Sequence, residues 1–432
     1  MRILFLFISS FFFSLCHAQT WTQLSTTGDA PGRANASLIY HPGENALYLF
    51  GGKTSDGFQN DLWKFDLSIN LWSEVDVTGE LPDIRHTPDA IFDEANNQML
   101  IFSGQGNGLY NDVWSFDFDD SSWTERSPSM NQEGFPQQRY GTITVFDAAA
   151  QRLVTFGGFG NAGTSRQDDT WAFDLIADEW MEVMPVPHPF KRCLHNGSYV
   201  AGRELMVLYG GQSTGNREDI WTFDLTTNTW TERLPATKPP GRHFCSITAI
   251  NEDLLYMFGG NGANQNNFSG GLNDLWQFSL VDDTWTQVLD TDTLPPARVG
   301  HSAVFLPTNN QLLIFGGNAV DGSFLGDVWV FEDLTTSVDE QSFAPQIKID
   351  WQSSNPFSDH LDFSLTINQP FSLEIKLVNL EGKTMKDIGQ ETLSIGQHAF
   401  FTPTSSLAAG IYFLQITDQD GGVLKTVRLV KG

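Results

Sequence analysis

Six times along the chain an Arg is followed, 18 or 19 residues later, by the last residue of a Gly-Gly or Ser-Gly pair. The arginines are Arg33, Arg85, Arg139, Arg192, Arg242 and Arg298; the closing glycines are Gly52, Gly104, Gly158, Gly211, Gly260 and Gly317. A Trp comes 10 to 16 residues later, and in five repeats a second Trp stands nine residues beyond it: Trp63/Trp72, Trp114/Trp123, Trp171/Trp180, Trp221/Trp230 and Trp276/Trp285. The sixth repeat has Trp329 alone, while an orphan Trp21 precedes Arg33 by 12 residues. A period of about 50 residues restricts the chain to a repeat architecture, in which each unit buries its apolar face against the next.

Each repeat reads as four short strands. In the second they are His86–Phe92, Gln98–Phe102, Asp112–Asp117 and Ser122–Arg126. Runs such as Ala46–Phe50, Leu205–Tyr209 and Leu312–Phe315 are almost continuously apolar, as expected of strands buried on both faces. Asn-, Asp- and Gly-rich turns such as Pro42-Gly43-Glu44-Asn45 separate first from second strands. The double glycine suits a place where backbone approaches backbone or takes positive φ. Of 13 tryptophans only Trp351 lies outside the repeats, so the rings are assigned first to the widening gaps between packed sheets.

Repeats of this kind resemble the kelch family. The resemblance rests on Leu49-Phe50-Gly51-Gly52, Asn60-Asp61-Leu62-Trp63-Lys64-Phe65-Asp66 and Leu71-Trp72, with equivalents in all six repeats over about 21–333. It departs at Ser103, at Ser279 and at the missing last Trp of repeat six. The implied fold is all-β, a six-bladed kelch-type β-propeller. Trp21-Thr22-Gln23-Leu24 matches the fourth-strand segments Trp123-Thr124-Glu125-Arg126 and Trp230-Thr231-Glu232-Arg233. An N-terminal strand is therefore expected to close blade six, leaving no unpaired edge.

Residues 1–18 read as a secretory signal peptide, with Arg2, the apolar run Ile3 to Cys16 and a small residue at Ala18. The run is too short to span a membrane, and no later segment reaches 18 unbroken apolar residues. The expected product is exported and not membrane-spanning. The chain carries a formal charge of −28, with 16 Lys/Arg against 43 Asp/Glu in residues 19–344 and 7 against 9 in 345–432. That acidity argues against nucleic acid as a partner. It is compatible with cation binding, or simply with a solvated surface. Cys193 and Cys245 follow the signal; export permits a disulfide, but their apolar strand contexts favour buried free thiols.

The repeat region is bounded at 19–334, followed by a polar linker at 335–346. Residues 347–432 alternate in short strands and read as a small β-sandwich. This part resembles the type IX secretion C-terminal sorting domain of Bacteroidota, through Asn355-Pro356-Phe357, Gly410-Ile411-Tyr412-Phe413 and a tail carrying Lys425, Arg428 and Lys431. The resemblance implies engagement with the type IX secretion machinery, removal of the domain, and a secreted or outer-membrane-attached propeller. Lys425, Arg428 and Lys431 would then take part in translocon recognition. In an ordinary carbohydrate-binding or immunoglobulin-like sandwich they would be solvated charges on a last strand.

Function is expected where spacing varies. Arg-to-Gly and Trp-to-Trp intervals are nearly fixed, while the closing Gly to the next Trp runs 11, 10, 13, 10, 16 and 12 residues. This second-to-third-strand loop emerges on the same face as the linkers between blades, and loops on a rigid scaffold carry binding. The face collects Lys53, Asp56 and Phe58; Asn107 and Tyr110; Phe159, Asn161 and Arg166; Asn216 and Arg217; Asn264, Asn266, Asn267 and Phe268; Asp321 and Phe324. Amides, scattered Arg and an aromatic in most loops suit an extracellular glycan, and equally a protein partner. The repeat Arg residues are matched by Asp61, Asp112, Asp169, Asp219, Asp274 and Asp327, two residues before each third-strand Trp. In-register ion pairs are expected, with a cationic axial ring as the alternative.

The other functional class is a sugar-acting surface enzyme, epimerase- or oxidase-like, with acids and histidines at the central funnel. His86, His195, His243 and His301 begin the innermost strands in this reading. Some kelch propellers are copper radical oxidases with a Tyr–Cys crosslink, and neither remaining Cys has an evident Tyr partner here. Glu80, Asp83 and His86 are the nearest match to an iron-binding triad, at the wrong interval. Six-bladed sialate epimerases offer no motif to carry over. No nucleophile elbow, phosphate loop or CxxC pair is present. No cofactor or metal site is assigned, and a purely structural surface component is the third reading.

Overall fold

The computed structural model describes residues 19–28, 30–160, 166–262, 270–288, 293–333, 347–351, 357–367, 371–379, 383–394, 396–418 and 423–431. It divides into two units, Met1–Thr335 and Thr336–Gly432. The expected signal segment at 1–18 and the expected linker at 335–346 lie outside the described residues. No helix among the described residues is long and apolar enough to cross a membrane.

The first unit holds six four-stranded antiparallel sheets. Their innermost strands are Ser37–His41, Asp89–Asp93, Ile143–Asp147, Asn196–Val200, Ser246–Ala249 and Ser302–Leu306, and each touches the next. Ser302–Leu306 in turn touches Ser37–His41. In five sheets the strands run outward in sequence order. In the sixth the outer position is taken by Gln19–Leu24, which pairs with Val328–Asp333 in the register Trp21↔Phe331.

Aromatic packing explains why these sheets sit side by side. Each outer-strand Trp lies between a Phe of its own third strand and an aromatic on the second strand of a neighbouring sheet. Trp123 packs on Phe116 (ring centroids 5.1 Å) and on Phe50 of the first sheet (5.0 Å). Trp180, Trp230, Trp285 and Trp72 repeat this against Phe102, Phe156, Tyr209 and Phe315. Trp21 packs on Phe331 at 5.2 Å and Phe258 at 4.9 Å, so it does in the sixth sheet what the other five do in theirs.

The innermost strands start later than the apolar pattern suggests: Asp89–Asp93 rather than His86–Phe92. The residue two after each repeat Arg breaks the strand. Asn35, Thr87, Gly141, Leu194, Phe244 and Gly300 all take left-handed backbone, with φ between 51° and 67°. Five N–H···O bonds join this position to its equivalent in a neighbouring sheet: Thr87 to Asn35, Leu194 to Gly141, Phe244 to Leu194, Gly300 to Phe244 and Asn35 to Gly300. The last of these connects the first repeat to the sixth.

The second unit is a sandwich of a three-stranded sheet (Ile347–Trp351, His360–Ile367, Gly396–Pro403) and a four-stranded one. The latter runs in the order Thr384–Leu393, Phe371–Asn379, Gly410–Asp418, Val423–Lys431. Alternate residues of both sheets form its core: Leu361, Phe363 and Leu365 face Leu373, Ile375, Leu377, Tyr412, Leu414 and Ile416.

Candidate functional site

The repeat arginines hold the scaffold on which the site rests. All six are 0–1% exposed, and each makes a two-pronged contact with the matching Asp: Arg33–Asp61, Arg85–Asp112, Arg139–Asp169, Arg192–Asp219, Arg242–Asp274 and Arg298–Asp327. Each Arg also donates to the carbonyl of the first residue of the Gly-Gly or Ser-Gly pair, as Arg85 does to Ser103 at 3.1 Å. The Asp accepts a further bond from the indole of the third-strand Trp. The expected ion pairs form, and the alternative of a cationic ring is excluded because every guanidinium is consumed inside its own sheet. Burial alone would raise these carboxyls. The Arg hydrogen bonds and charge outweigh it and hold Asp169, Asp219, Asp274 and Asp327 below the usual carboxylate range.

Linkers and variable loops share a face. Each repeat Arg N–H donates to a carbonyl of the preceding sheet's second-to-third-strand loop: Arg85 to Gln59, Arg139 to Tyr110, Arg192 to Gln167, Arg242 to Arg217, Arg298 to Leu272 and Arg33 to Leu325. The residue after each Arg then pairs with the residue after the closing Gly, as in Ala34–Lys53, His86–Gln105, Tyr140–Phe159, Cys193–Gln212, His243–Asn261 and Val299–Asn318. These six pairs recur once per sheet and rim the face.

On one side the rim carries a run of rings. Phe58 stacks flat on His86, with centroids 4.9 Å apart and planes 7° apart. His86 meets Tyr140 at 5.7 Å, and Tyr140 meets Phe159 at 5.5 Å. A cation stands at each end: Lys53 Nζ lies 5.7 Å from the Phe58 ring and the Arg166 guanidinium 5.9 Å from Phe159. Arg166 is anchored by donating to the Gln212 carbonyl at 3.1 Å and its side-chain oxygen at 2.8 Å. Burial, and secondarily the Lys53 charge, lower the His86 pKa, leaving a neutral ring in the stack despite a bond to Gln105 that favours the cation. Beyond Gln212 the rim turns polar, through Asn216, which bonds His243 at 2.8 Å and the Asn261 carbonyl at 3.0 Å.

Of the expected ligand residues, the fold brings Phe58, Phe159 and Arg166 into this arc. Tyr110 is 8% exposed and covers Arg85, whose guanidinium lies 4.4 Å from its ring. Arg217 is turned to Asp219 and to the Phe190 ring. Phe324 pairs with Asn318 within the sixth sheet's loop. Asn266, Asn267 and Phe268 lie outside the described residues, as do Asn161 and Asn264. His86 and Tyr140 complete the arc; the signal for Tyr140 was available as the residue after the third repeat Arg, in register with His86.

The four histidines divide: His86 and His243 sit on the rim, whereas His195 and His301 pack against Phe156 and Phe258 and line the cavity enclosed by the innermost strands, and burial drives both down to about 3. Among the described residues no three His, Cys, Asp or Glu side chains converge. Cys193 and Cys245 are free and buried, and burial pushes their thiols up to about 11 and about 12.

In the second unit the motif residues meet at one end of the last strand. Lys431 pairs with Gly410, and Phe357 donates its N–H to the Val430 carbonyl at 2.9 Å. Lys431 lies over the Phe357 ring and donates to the Ser358 carbonyl. At 8% exposure it is a buried clamp rather than a solvated charge. Tyr412 is also buried and donates to the Ala408 carbonyl at 2.9 Å. Asn355 and Pro356 lie outside the described residues; Lys425 and Arg428 are placed only as backbone of the last strand.

Sheets of this kind, repeating once per sequence period, define a β-propeller protein. The stretches 7–134, 42–260, 126–306 and 252–355 match the family described as KLHDC2/KLHL20/DRC7 Kelch-repeats domain, and the chain belongs to the kelch-repeat family. Residues 355–430 match the Secretion system C-terminal sorting domain, so a type IX sorting domain stands at the C-terminal end and indicates secretion or cell-surface export. The chain is 24% identical over 340 residues to the Leucine-zipper-like transcriptional regulator 1 homolog of Drosophila melanogaster, covering 74% of this chain and 33% of that protein. It is 26% identical over 262 residues to an F-box/kelch-repeat protein of Arabidopsis thaliana, covering 56% and 53%. To Kelch domain-containing protein 10 of Homo sapiens it is 25% identical over 288 residues, covering 62% of each. It thus spans between a third and about two thirds of the length of these relatives.

Proposed function

We propose that this exported kelch protein is a binding module, and that its variable-loop face takes an extracellular glycan or protein through the arc from Lys53 to Arg166. The carrying observation is the run Phe58–His86–Tyr140–Phe159, in which four rings contributed by three successive sheets follow one another at 4.9 to 5.7 Å. A half-buried run of rings suits apolar ligand surfaces, sugar faces included, and the cations at either end add polar recognition. The reading takes the unit as residues 19–334 folded into a six-bladed ring with Gln19–Leu24 as the outer strand of blade six. The pairing of Trp21 with Phe331 and the Asn35–Gly300 backbone bond support it. It also takes 1–18 as a signal peptide, 335–346 as linker and 347–432 as the sorting domain, removed after export to leave the propeller free or attached at the outer membrane.

The test is a glycan and surface-protein array probed with the purified secreted protein and with a Phe58→Ala/Phe159→Ala variant. Saturable binding lost in the variant is expected. Binding to any array member that the variant retains at full strength would move the site off the arc.

A further inference from the structure

Where the six innermost strands begin, they enclose an axial cavity of about 210 Å³, walled by residues of all six sheets and carrying one carboxylate. Asp89 opens the innermost strand of sheet two, at a position held in the other sheets by Ser37, Ile143, Asn196, Ser246 and Ser302. The hydroxyls of Thr142 and Thr144 both donate to its Oδ2, at 2.5 and 2.7 Å. Ser103 supports Thr142 from behind at 3.0 Å. Oδ1 carries no hydrogen bond from the described residues, and Asp89, half-buried as a residue, lines the cavity although protein surrounds its carboxyl. No Lys or Arg lines the cavity. A carboxylate desolvated without a counter-ion is costly; burial pushes Asp89 up to about 6, against the pull of the two threonine bonds.

The cavity adjoins a second, more apolar chamber of about 780 Å³, which opens towards the tight first-to-second-strand turns. The two share Leu38, Ala90, Thr144 and Gly197, and the outer chamber adds Ile91, Phe92, Val145 and Tyr199. At roughly 30 Å³ per water the inner cavity has room for about seven waters or one small polar group. A divalent cation takes several oxygen ligands and usually more than one carboxylate, whereas Asp89 balances a single charge. A bare monovalent ion would leave the apolar chamber without a role. A cation with N–H donors and a hydrocarbon tail fits both compartments.

We propose that the axial channel binds a primary alkylammonium ion, its ammonium group on Asp89 and its chain in the apolar chamber beyond Ala90. This site lies inside the ring and is distinct from the aromatic arc. The experiment is calorimetric titration of the full chain with n-butylammonium chloride, compared with tetramethylammonium and potassium chlorides. Saturable binding of butylammonium is expected, at least tenfold weaker for tetramethylammonium, which has no N–H donor, and at least tenfold weaker in Asp89→Asn, which is isosteric. Equal affinity in Asp89→Asn, or potassium matching butylammonium, overturns the proposal.

A second measurement needs no variant. Affinity for butylammonium should fall as pH is lowered through about 6, where Asp89 takes up its proton. Beside it the flanking innermost strands add no carboxylate: His41 and Asp147 stand at their far ends, Asp93 and Glu94 line the outer chamber at the far end of Asp89's own strand, and His195 and His301 in the inner walls stay neutral down to about 3. Affinity constant from pH 5 to 8 also overturns the assignment.

Discussion

A buried guanidinium stays folded only if each of its nitrogens finds an acceptor, and the repeat arginines meet that demand six times over. Arg85 shows the full set: Asp83 and Ser103 carbonyls, both oxygens of Asp112, and the Tyr110 ring above. Removing one partner strands the other charge in the interior. Asp112→Ala should therefore lower unfolding free energy by about 3–5 kcal/mol, while Arg85→Met/Asp112→Leu should cost less than that single change. Urea titrations of the two variants check the order, and the reverse order would show that the stranded Arg85 charge is not the main cost.

Acid stability is also set residue by residue, and the signs can be worked out. Burial holds His195 and His301 at about 3 and His243 at about 4, well below the unfolded value near 6.5. The unfolded chain binds their protons first, so stability should fall as pH drops below about 6.5, by up to about 1.4 kcal/mol per pH unit per histidine. Asp89, raised to about 6, acts in the opposite direction between about 6 and 4. Asp169, Asp219, Asp274 and Asp327 add a second loss below about 4, as pH falls towards their depressed folded values. Urea midpoints from pH 8 to 4 test this: His301→Gln should flatten the decline between 6.5 and 4, and an unchanged slope would contradict the assignment.

At the scale of strands, the N-terminal segment is the element whose role is most exposed to test. Gln19–Leu24 supplies the outer strand of the sixth sheet, and Trp21 is 4% exposed between Phe258 and Phe331. Trp21→Ala should cost about 3–5 kcal/mol, as other buried Trp truncations do. Deleting residues 19–24 should do more, because Val328–Asp333 is left as an open edge. A melting temperature equal to that of the full chain would show that the strand is not a clasp. This element was legible in the sequence because Trp21-Thr22-Gln23-Leu24 repeats a pattern seen elsewhere in the chain. The late start of the innermost strands was not. Its cause is a left-handed residue supplied by Asn, Thr, Gly, Leu, Phe and Gly in turn. No composition rule marks Leu194 or Phe244 for positive φ; the backbone bonds to neighbouring sheets impose it. The site divides in the same way. Phe58, Phe159 and Arg166 could be found from loop spacing, but spacing cannot say that Tyr110 and Arg217 turn away to cover ion pairs.

For the whole molecule, the proposed function assigns export and recognition to different units, which can be broken separately. In the sorting domain the last strand, Val423–Lys431, lies at the sheet edge, and its end is tied to Phe357 and Ser358 through Lys431. Deleting 425–432 should leave a folded propeller retained in the periplasm, which fractionation of the producing cell would reveal; normal export of the truncated chain would refute the role of that strand. The propeller face calls for the opposite design, one that spares export and folding. Phe58 and Phe159 are half-buried on the rim and stand outside the inter-sheet core clusters, so paired Ala substitutions should leave the melting temperature within a few degrees. The same pair removes both ends of the ring arc and should weaken ligand binding at least tenfold, since stacked aromatics dominate such contacts. Asn266, Asn267 and Phe268, on the longest variable loop, form a second set expected to act on binding in the same direction. The matching control lies on the tight-turn face, Glu94→Gln with Asn309→Ala. If the control pair weakens a bound ligand and the Phe58/Phe159 pair does not, recognition belongs to the opposite face of the propeller.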